Sequence, residues 1–250
     1  MILLLCDYGL SGPYLGEVTA VIKRLAPRAE VINLFPDLPR GDINAAAVLL
    51  AAVTADYPPD TVLFCVVDPG VGTFNDRPTI LRIAERWYVG PDNGIFDLVA
   101  GRAGCSECEE IVWRPARISR SFHGRDLYAP VCAGLADGRL PETMRREWRR
   151  LHVLEDDPRV VVYIDGFGNA FTGVRARTLP QGCSLRCGSH DAIRQAGTFA
   201  DVPRGGAFWY ENSSGLAEIA VNQGSAAEQL NIKVGDRVEI IFPAANAGDR

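Results

Sequence analysis

The stretch TVLFCVV, Thr61–Val67, is apolar apart from its first residue, and DPGVGT, Asp68–Thr73, follows it directly. A run of this length, rich in β-branched and aromatic residues, predicts a strand buried on both faces, as in the middle of a parallel sheet. Pro69 then fixes one turn, and the two glycines let the backbone approach a neighbour closely. The sequence therefore predicts a parallel sheet in which one strand ends at a glycine-rich loop beginning with Asp68.

Strand and helix signals alternate around this stretch. Asp42 is a typical N-cap residue and directly precedes the helix expected at Ile43. The expected strands are Ile2–Cys6, Glu30–Leu34 and Thr61–Val67, with a hairpin of Thr79–Ile83 and Trp87–Val89, and the expected helices are Tyr14–Leu25, Ile43–Thr54, Asn93–Ala100 and Leu127–Ala136. This alternation predicts a layered α/β domain with a mostly parallel sheet, which we assign to residues 1–156.

The pattern changes near residue 157, where short strand signals separated by glycine replace the helices. The expected strands are Val160–Ile164, Ala170–Val174, Phe208–Tyr210, Ala217–Val221 and Arg237–Ile241. Short strands at this spacing predict a small β-barrel domain, which we assign to residues 157–250.

Composition and net charge exclude several classes of protein and of binding partner. Apolar residues make up 47% of the 250 residues and charged residues 23%, as is typical of a folded globular chain. The net charge of −5 argues against a nucleic-acid backbone as partner. The apolar start Met1–Cys6 has no basic region before it, unlike a signal peptide, and no run reaches the roughly 18 residues of a membrane span. We expect a cytoplasmic protein that binds neither nucleic acid nor membrane.

Seven cysteines are an odd number, which disfavours a disulfide framework. Cys105 with Cys108, and Cys183 with Cys187, form two close pairs, and four thiolates can hold a zinc ion. The alternative is that all four are ordinary thiols, with Cys105 and Cys108 in an acidic loop.

Polar residues that follow the strands are the first candidates for a site, because open α/β sheets bind ligands beyond the carboxyl ends of their strands. Asp7 follows the first strand and could accept hydrogen bonds from ribose hydroxyls, or act only in a turn. Asp68 could orient a water molecule, or only end a strand. Histidine is the usual side chain for proton transfer near neutral pH, so His123 could move a proton. The alternative is that Arg125 and Asp126 pair at a helix start and that His123 is structural.

Two glycine-containing corners of the predicted β-domain also carry polar groups. In Asp165–Asn169, Phe167 could stack on a planar base and Asn169 could bond to the edge of that base. Asn212–Gly215 combines an amide with hydroxyls between two strand signals. Tight turns are the alternative for both corners.

Six short segments of the chain, taken together and in order, match the pattern of one protein family, although each alone is a weak signal. They are Asp7–Gly9, Val66–Thr73, Gly90–Gly94, Phe122–Asp126, Asp165–Asn169 and Glu218–Ala226. In order and spacing they resemble the S-adenosyl-L-methionine (SAM) hydroxide adenosyltransferases, relatives of the bacterial fluorinase and chlorinase. The resemblance runs from Ile2 to Ile241.

This resemblance implies an N-terminal α/β domain and a C-terminal β-barrel in a homotrimer, with each active site between the N-domain of one subunit and the C-domain of the next. The implied reaction is attack of water-derived hydroxide on C5′ of SAM, giving adenosine and L-methionine, with SAM as substrate and no cofactor. The family's catalytic Asp, Arg and His map onto Asp68, Arg77 and His123. The implied substrate-binding residues are Asp7, Asp92, Asn93, Asp165, Phe167, Asn169, Asn212, Ser213, Glu218 and Ala220.

Two positions depart from the family's pattern. The family's Arg comes very soon after the Gly-Thr pair, whereas Arg77 comes about two residues late. Either the loop bulges and Arg77 still reaches the water, or another residue replaces it. Relatives often carry an aromatic residue where Gly41 stands, so we expect weaker affinity for the substrate.

Two other functions remain open on the sequence alone. A SAM-dependent halogenase could use the same scaffold, but a carboxylate at Asp68 would repel a halide ion. A non-catalytic nucleoside-binding protein would keep Asp7, Phe167 and Asn169 without needing Asp68 and His123 together.

Overall fold

The computed structural model describes residues 1–73, 77–152 and 154–242 of the chain. The chain divides into two compact units, Met1–Leu154 and Glu155–Arg250. In the described part of the chain, no helix is both long enough and apolar enough to cross a membrane.

The first unit contains one sheet of seven strands. These are β1 (Ile2–Cys6), β2 (Val31–Phe35), β3 (Val62–Val66), β4 (Pro78–Ile83), β5 (Arg86–Pro91), β6 (Cys105–Ile111) and β7 (Thr143–Arg145). Their order is β2-β1-β3-β5-β4-β6-β7. The neighbours β2, β1, β3 and β5 are parallel, and the remaining pairs are antiparallel. The predicted parallel sheet and the predicted hairpin of β4 and β5 are both confirmed.

Helices pack on this sheet because its central strands are apolar on both faces. They are α1 (Tyr14–Leu25), α2 (Ile43–Val53), α3 (Asp97–Ala103) and α4 (Ala129–Ala136). Ile22 of α1 lies in one apolar cluster with Leu4 and Phe64 of the sheet. Since neighbouring residues of a strand face opposite sides, the buried Leu3 and Leu63 cover the other face. The layered α/β architecture is therefore confirmed.

The carboxyl ends of β1, β3 and β5 lie along one edge of the sheet because the three strands are parallel. Cys6 pairs with Val66 across β1 and β3, so both strands end at the same level. The residues that follow these ends include Asp7, Asp68 and Asp92. The fold thus carries three of the predicted site residues to one edge.

Two helices begin later than predicted. The helix expected at Asn93 begins only at Asp97, because Gly94 has a φ of +103° and the Asn93 side chain is bonded elsewhere. The helix expected at Leu127 is preceded by a π-helical turn, Gly124–Tyr128. Pro130 follows this turn and has no N–H for the carbonyl four residues earlier, which favours the wider turn.

A strand, β6, occupies the region of Cys105 and Cys108, where the sequence predicts an acidic loop. Its partners on either side are β4 and β7, both antiparallel. Ser106 and Glu107 are exposed, whereas Cys108 and Ile111 are buried. Backbone pairing with β4 therefore outweighs the weak strand propensity of the acidic residues.

The second unit is built almost entirely of antiparallel strands. They are β8 (Val161–Ile164), β9 (Ala170–Arg175), β10 (Ser184–Cys187), β11 (His190–Arg194), β12 (Ala207–Glu211), β13 (Leu216–Val221) and β14 (Glu239–Ile241), with a short helix α5 (Ala226–Gln229). One sheet has the order β12-β13-β9-β8, and the other has the order β11-β10-β14. Leu185, Trp209 and Ile219 lie in the core of this unit.

The antiparallel β-domain is confirmed, but its described strands form two sheets rather than a closed barrel. Among the residues that the structure describes, isolated bridges such as Val160 with Arg237 and Gln195 with Trp209 are the pairings outside the two sheets. A closed barrel needs a continuous ladder around its circumference. The sequence reading also missed β10 and β11, whose few residues include charged and polar side chains.

Candidate active site

The turn after β3 holds Asp68. One carboxylate oxygen, Oδ1, accepts a hydrogen bond from the backbone N–H of Gly70 over 3.2 Å. Gly72 has a φ of +78°, and a Cβ there would lie 2.6 Å from the carbonyl oxygen of Arg120. Glycine at this position therefore allows the Asp68 loop to pack against the segment that leads to His123.

Arg125 and Asp126 form an ion pair next to His123 in the sequence. The Arg125 guanidinium lies 2.6 Å from Asp126 and 2.7 Å from Glu17. Asp126 also accepts the backbone N–H of Ser119 over 2.8 Å. The hydrogen bond from Arg125 lowers the pKa of Asp126. This is the pairing that the sequence allowed as an alternative to a role in chemistry, and it anchors the turn that begins after His123.

A small pocket brings Asp7, Asp68 and His123 together. Its volume is about 70 Å³, enough for water molecules but far below the 300 Å³ or more of a typical ligand site. Tyr8 lines it as well, a residue for which the sequence predicted no role. The full lining is Asp7, Tyr8, Val66, Asp68, Val71, Ser121, Phe122, His123 and Gly124.

Asp7 ties the loop after β1 to the loop before α2. Its Oδ2 accepts the backbone N–H of Gly41 over 3.0 Å. Gly41 has a φ of +65°, a conformation that strains any residue with a Cβ. The aromatic residue that the family resemblance implies at this position would therefore be strained in this loop conformation.

Asp92 and Asn93 lie at the end of β5 and do not line this pocket. Asp92 is paired with Arg146 over 3.2 Å, and Arg146 is also 3.0 Å from Glu110. Burial raises the pKa of Asp92, and Arg146 opposes that rise. The amide of Asn93 donates to the carbonyl oxygen of Val67 over 2.9 Å.

Arg77 begins the segment that leads into β4. Its side chain is exposed, and its carbonyl oxygen accepts the backbone N–H of Asp92 over 2.9 Å. It is not one of the described residues that line the pocket. The loop residues 74–76 that precede it lie outside the described residues.

In the second unit, three of the predicted substrate-binding residues, Asp165, Asn169 and Asn212, lie around a fourth, Glu218. Glu218 is only 2% exposed and accepts hydrogen bonds from Tyr210 over 2.5 Å and from Asn212 over 3.0 Å. Burial raises the pKa of Glu218, Asp165 adds to the rise, and hydrogen bonds from Tyr210, Asn212 and Asn169 oppose it. The pKa of Tyr210, which sequence reasoning missed, is raised by burial and by Glu218.

The corner at Asp165 presents an aromatic ring to solvent. Asp165 Oδ1 accepts the backbone N–H groups of Phe167 and Asn169, both over 2.9 Å. Phe167 is 82% exposed. Ser213 is exposed in the turn after β12, whereas Ala220 is buried within β13.

All seven cysteines are free thiols. Burial raises the pKa of both Cys108 and Cys187 to about 11. Thiols of this kind stay protonated, and a metal binds the thiolate. Within the described ranges, no group of three or more His, Cys, Asp or Glu side chains is arranged to hold a metal ion.

Comparisons with known proteins identify the family of this chain. Residues 2–145 match the SAM hydroxide adenosyltransferase N-terminal domain, and residues 159–239 match the C-terminal domain of the same family. The chain belongs to the SAM hydroxide adenosyltransferase family. Both family domains are present, and they fall within the two units of the structure.

Individual members of the SAM hydroxide adenosyltransferase family and their relatives match over nearly the whole chain. An (R)-S-adenosyl-L-methionine hydrolase from Salinispora arenicola is 38% identical over 94% of this chain and 95% of its own length. A fluorinase from Nocardia brasiliensis is 24% identical over 96% of both chains. The crystal structure of an uncharacterized conserved protein from Thermotoga maritima superimposes with a TM-score of 0.82 at 33% identity, over 97% of this chain and 100% of that one.

Proposed function

We propose that this protein hydrolyses SAM to adenosine and L-methionine. A water oxygen forms a bond to C5′ of the ribose while the bond from C5′ to sulfur breaks, and the electron pair of that bond goes to sulfur. The positive sulfonium becomes a neutral thioether, and the water proton goes to a basic side chain. The hydrolase from Salinispora arenicola, at 38% identity, supports this reaction.

The observation that carries the proposal is that Asp68 and His123 line the same pocket of water size. The sulfonium is already an excellent leaving group, so no acid is needed for its departure. The protein must supply a positioned and partly desolvated nucleophile instead. Asp68 and His123 are the proton-accepting groups that line the pocket beside Asp7, and Asp7 is suited to the ribose hydroxyls. This chemistry calls for no cofactor.

A complete substrate site needs more than this pocket. The pocket has room for the nucleophile but not for the nucleoside, and the Glu218 cluster with Phe167 belongs to the second unit. We propose that Phe167 and Asn169 surround the adenine. Following the family's arrangement, we propose a homotrimer in which each site joins the first unit of one subunit to the second unit of a neighbour.

The test of the reaction uses SAM in water enriched in ¹⁸O, with Asp68→Asn as control. We expect adenosine and methionine in equal amounts, with the label in adenosine and not in methionine. Chloride should give no 5′-chlorinated nucleoside, because the Asp68 carboxylate disfavours a halide in the pocket. Binding of SAM without release of adenosine would instead support a non-catalytic nucleoside-binding protein, and a chlorinated product would support a halogenase.

A further inference from the structure

Tyr8 is held in place by aromatic rings near its own. Its ring lies edge-on to Phe64 at 6.3 Å between centroids and to Phe122 at 5.7 Å. Tyr14 is a further neighbour at 6.3 Å. Edge-to-face contacts of this kind fix the direction in which a ring points. The position of the Tyr8 hydroxyl is therefore set by packing.

The hydroxyl of Tyr8 points at the backbone that follows His123. A Cβ on Gly124 would overlap the Tyr8 hydroxyl oxygen and would also approach its ring carbon Cζ to 3.1 Å. Gly124 thus leaves the space that the hydroxyl fills. A phenylalanine ring at position 8 would keep the aromatic contacts and lose only this oxygen.

Tyr8 and Gly124, the residue that its hydroxyl faces, both line the pocket that holds Asp68 and His123. Burial raises the pKa of Tyr8, and the nearby Asp7 and Asp68 carboxylates raise it further. The group therefore stays protonated and can donate a hydrogen bond over the working range of pH.

We propose that Tyr8 is a further catalytic residue: its hydroxyl donates a hydrogen bond to the oxygen of the attacking water, while Asp68 accepts a proton from that water. Held from both sides, the water keeps one lone pair directed out of the pocket. The donor also stabilises the negative charge that grows on this oxygen as its proton leaves. The inference rests on the proposed hydrolysis and assigns a residue to it.

The test compares Tyr8→Phe with Tyr14→Phe. Tyr14 belongs to the same aromatic group but is half exposed and does not line the pocket. We expect Tyr8→Phe to lower kcat by about tenfold to a hundredfold, the effect of losing one hydrogen bond to a developing charge, with KM within about twofold. Tyr14→Phe should leave both constants unchanged. Equal losses in the two variants would assign the effect to ring packing and overturn the proposal.

A double-mutant cycle with Gly124→Ala distinguishes an effect on kcat through Tyr8 from an effect through the neighbouring His123. The added methyl group should displace the Tyr8 hydroxyl and lower kcat in the wild-type background. It should have little further effect in the Tyr8→Phe background, because the oxygen that it displaces is gone. Losses that simply multiply would overturn the role of Tyr8. If the wild type forms no adenosine, the proposed function itself fails; if it does, and Tyr8→Phe turns over normally, only this inference fails.

Discussion

The side-chain amide of Asn93 donates a hydrogen bond to the carbonyl oxygen of Val67 over 2.9 Å and so ties the end of β5 to the residue before Asp68. Its Oδ1 accepts the backbone N–H of Ile95 over 3.3 Å. One side chain thus satisfies two backbone groups where the sheet ends. The position of the Asp68 carboxylate depends on this link between neighbouring strands.

Replacing Asn93 with Ala should destabilise the protein and lower turnover together. The Val67 carbonyl would lose its partner in a half-buried setting, which costs about 1–3 kcal/mol of unfolding free energy. Urea denaturation measures this loss. Asn33→Ala, at an exposed position on β2, is the matched control and should change little. Unchanged stability with weakened SAM affinity would instead assign Asn93 to the substrate, as the family resemblance implies.

Strand pattern alone was enough to place Asp7 and Asp68 directly beyond the carboxyl ends of two strands. Parallel strands end at one edge, so the residues that follow β1 and β3 become neighbours in any such sheet. The role of Asp92 was harder to predict because its partner Arg146 is 54 residues away. Nothing in the local pattern around either residue indicates that ion pair.

Two predictions differ from the structure: the acidic loop at Cys105, which is strand β6, and the barrel, which is two sheets. The residues of β6 have weak strand propensity, and they form a strand because their backbone pairs with β4 in antiparallel orientation. In the second unit, the order of strands in each sheet depends on which distant segments pair, such as β10 with β14. Periodicity shows that a segment is a strand, but not which segment will be its neighbour.

Asp7→Ala should weaken binding of adenosine by about tenfold to a hundredfold, because a charged hydrogen bond to the ribose is lost. Calorimetry with adenosine measures the affinity. Asp42→Ala is a control from the same loop, since Asp42 caps α2 by accepting the N–H of Ala45 over 3.0 Å. That variant should lose about 1 kcal/mol of stability and keep its affinity. Normal affinity in Asp7→Ala would remove Asp7 from the ligand site.

Glu218 should make the second unit less stable as the pH rises toward neutrality. Burial raises its pKa in the folded state, so the folded chain holds the proton more tightly than the unfolded chain, whose value is near 4.5. Its contribution to stability is therefore full below that value and is lost as the pH rises through the folded pKa.

Glu218→Gln should flatten this part of the stability profile. Urea denaturation between about pH 4 and pH 7 gives the slope of unfolding free energy against pH for each variant. Glu211→Gln, an exposed position on neighbouring β12, is the control and should keep the wild-type slope. Identical slopes in Glu218→Gln and the wild type would mean that Glu218 titrates alike in the folded and unfolded chains.

Subunits with complementary defects should restore activity if each site is shared in a trimer. Asp68→Asn damages the first unit and Phe167→Ala the second, and each homo-oligomer should turn over slowly. Co-expression in equal amounts should recover about a quarter of wild-type turnover, because one junction in four joins two intact units. Light scattering should give the mass of a trimer. No recovery from a mixed oligomer would place both halves of the site in one chain.

Asp68→Asn and His123→Ala should each lower kcat by about 10²–10⁴, the usual effect of removing a positioned proton-transfer group, with little change in KM. Steady-state release of adenosine measures both constants. Ser121→Ala, on the same pocket but without a proton-accepting side chain, is the control and should remain within about tenfold of the wild type. Near-normal kcat in both Asp68→Asn and His123→Ala would contradict the proposed hydrolytic mechanism.

Arg77→Ala decides whether the late arginine fills the family's cationic role. Its side chain is exposed at the entry to β4 and does not line the pocket, so we expect a smaller loss of kcat than in Asp68→Asn. In that case the developing hydroxide is stabilised without a guanidinium, and the Tyr8 hydroxyl is the remaining donor that we assign to it. A loss as large as that of Asp68→Asn would show that Arg77 reaches the water once substrate is bound, and would restore the family's full catalytic set.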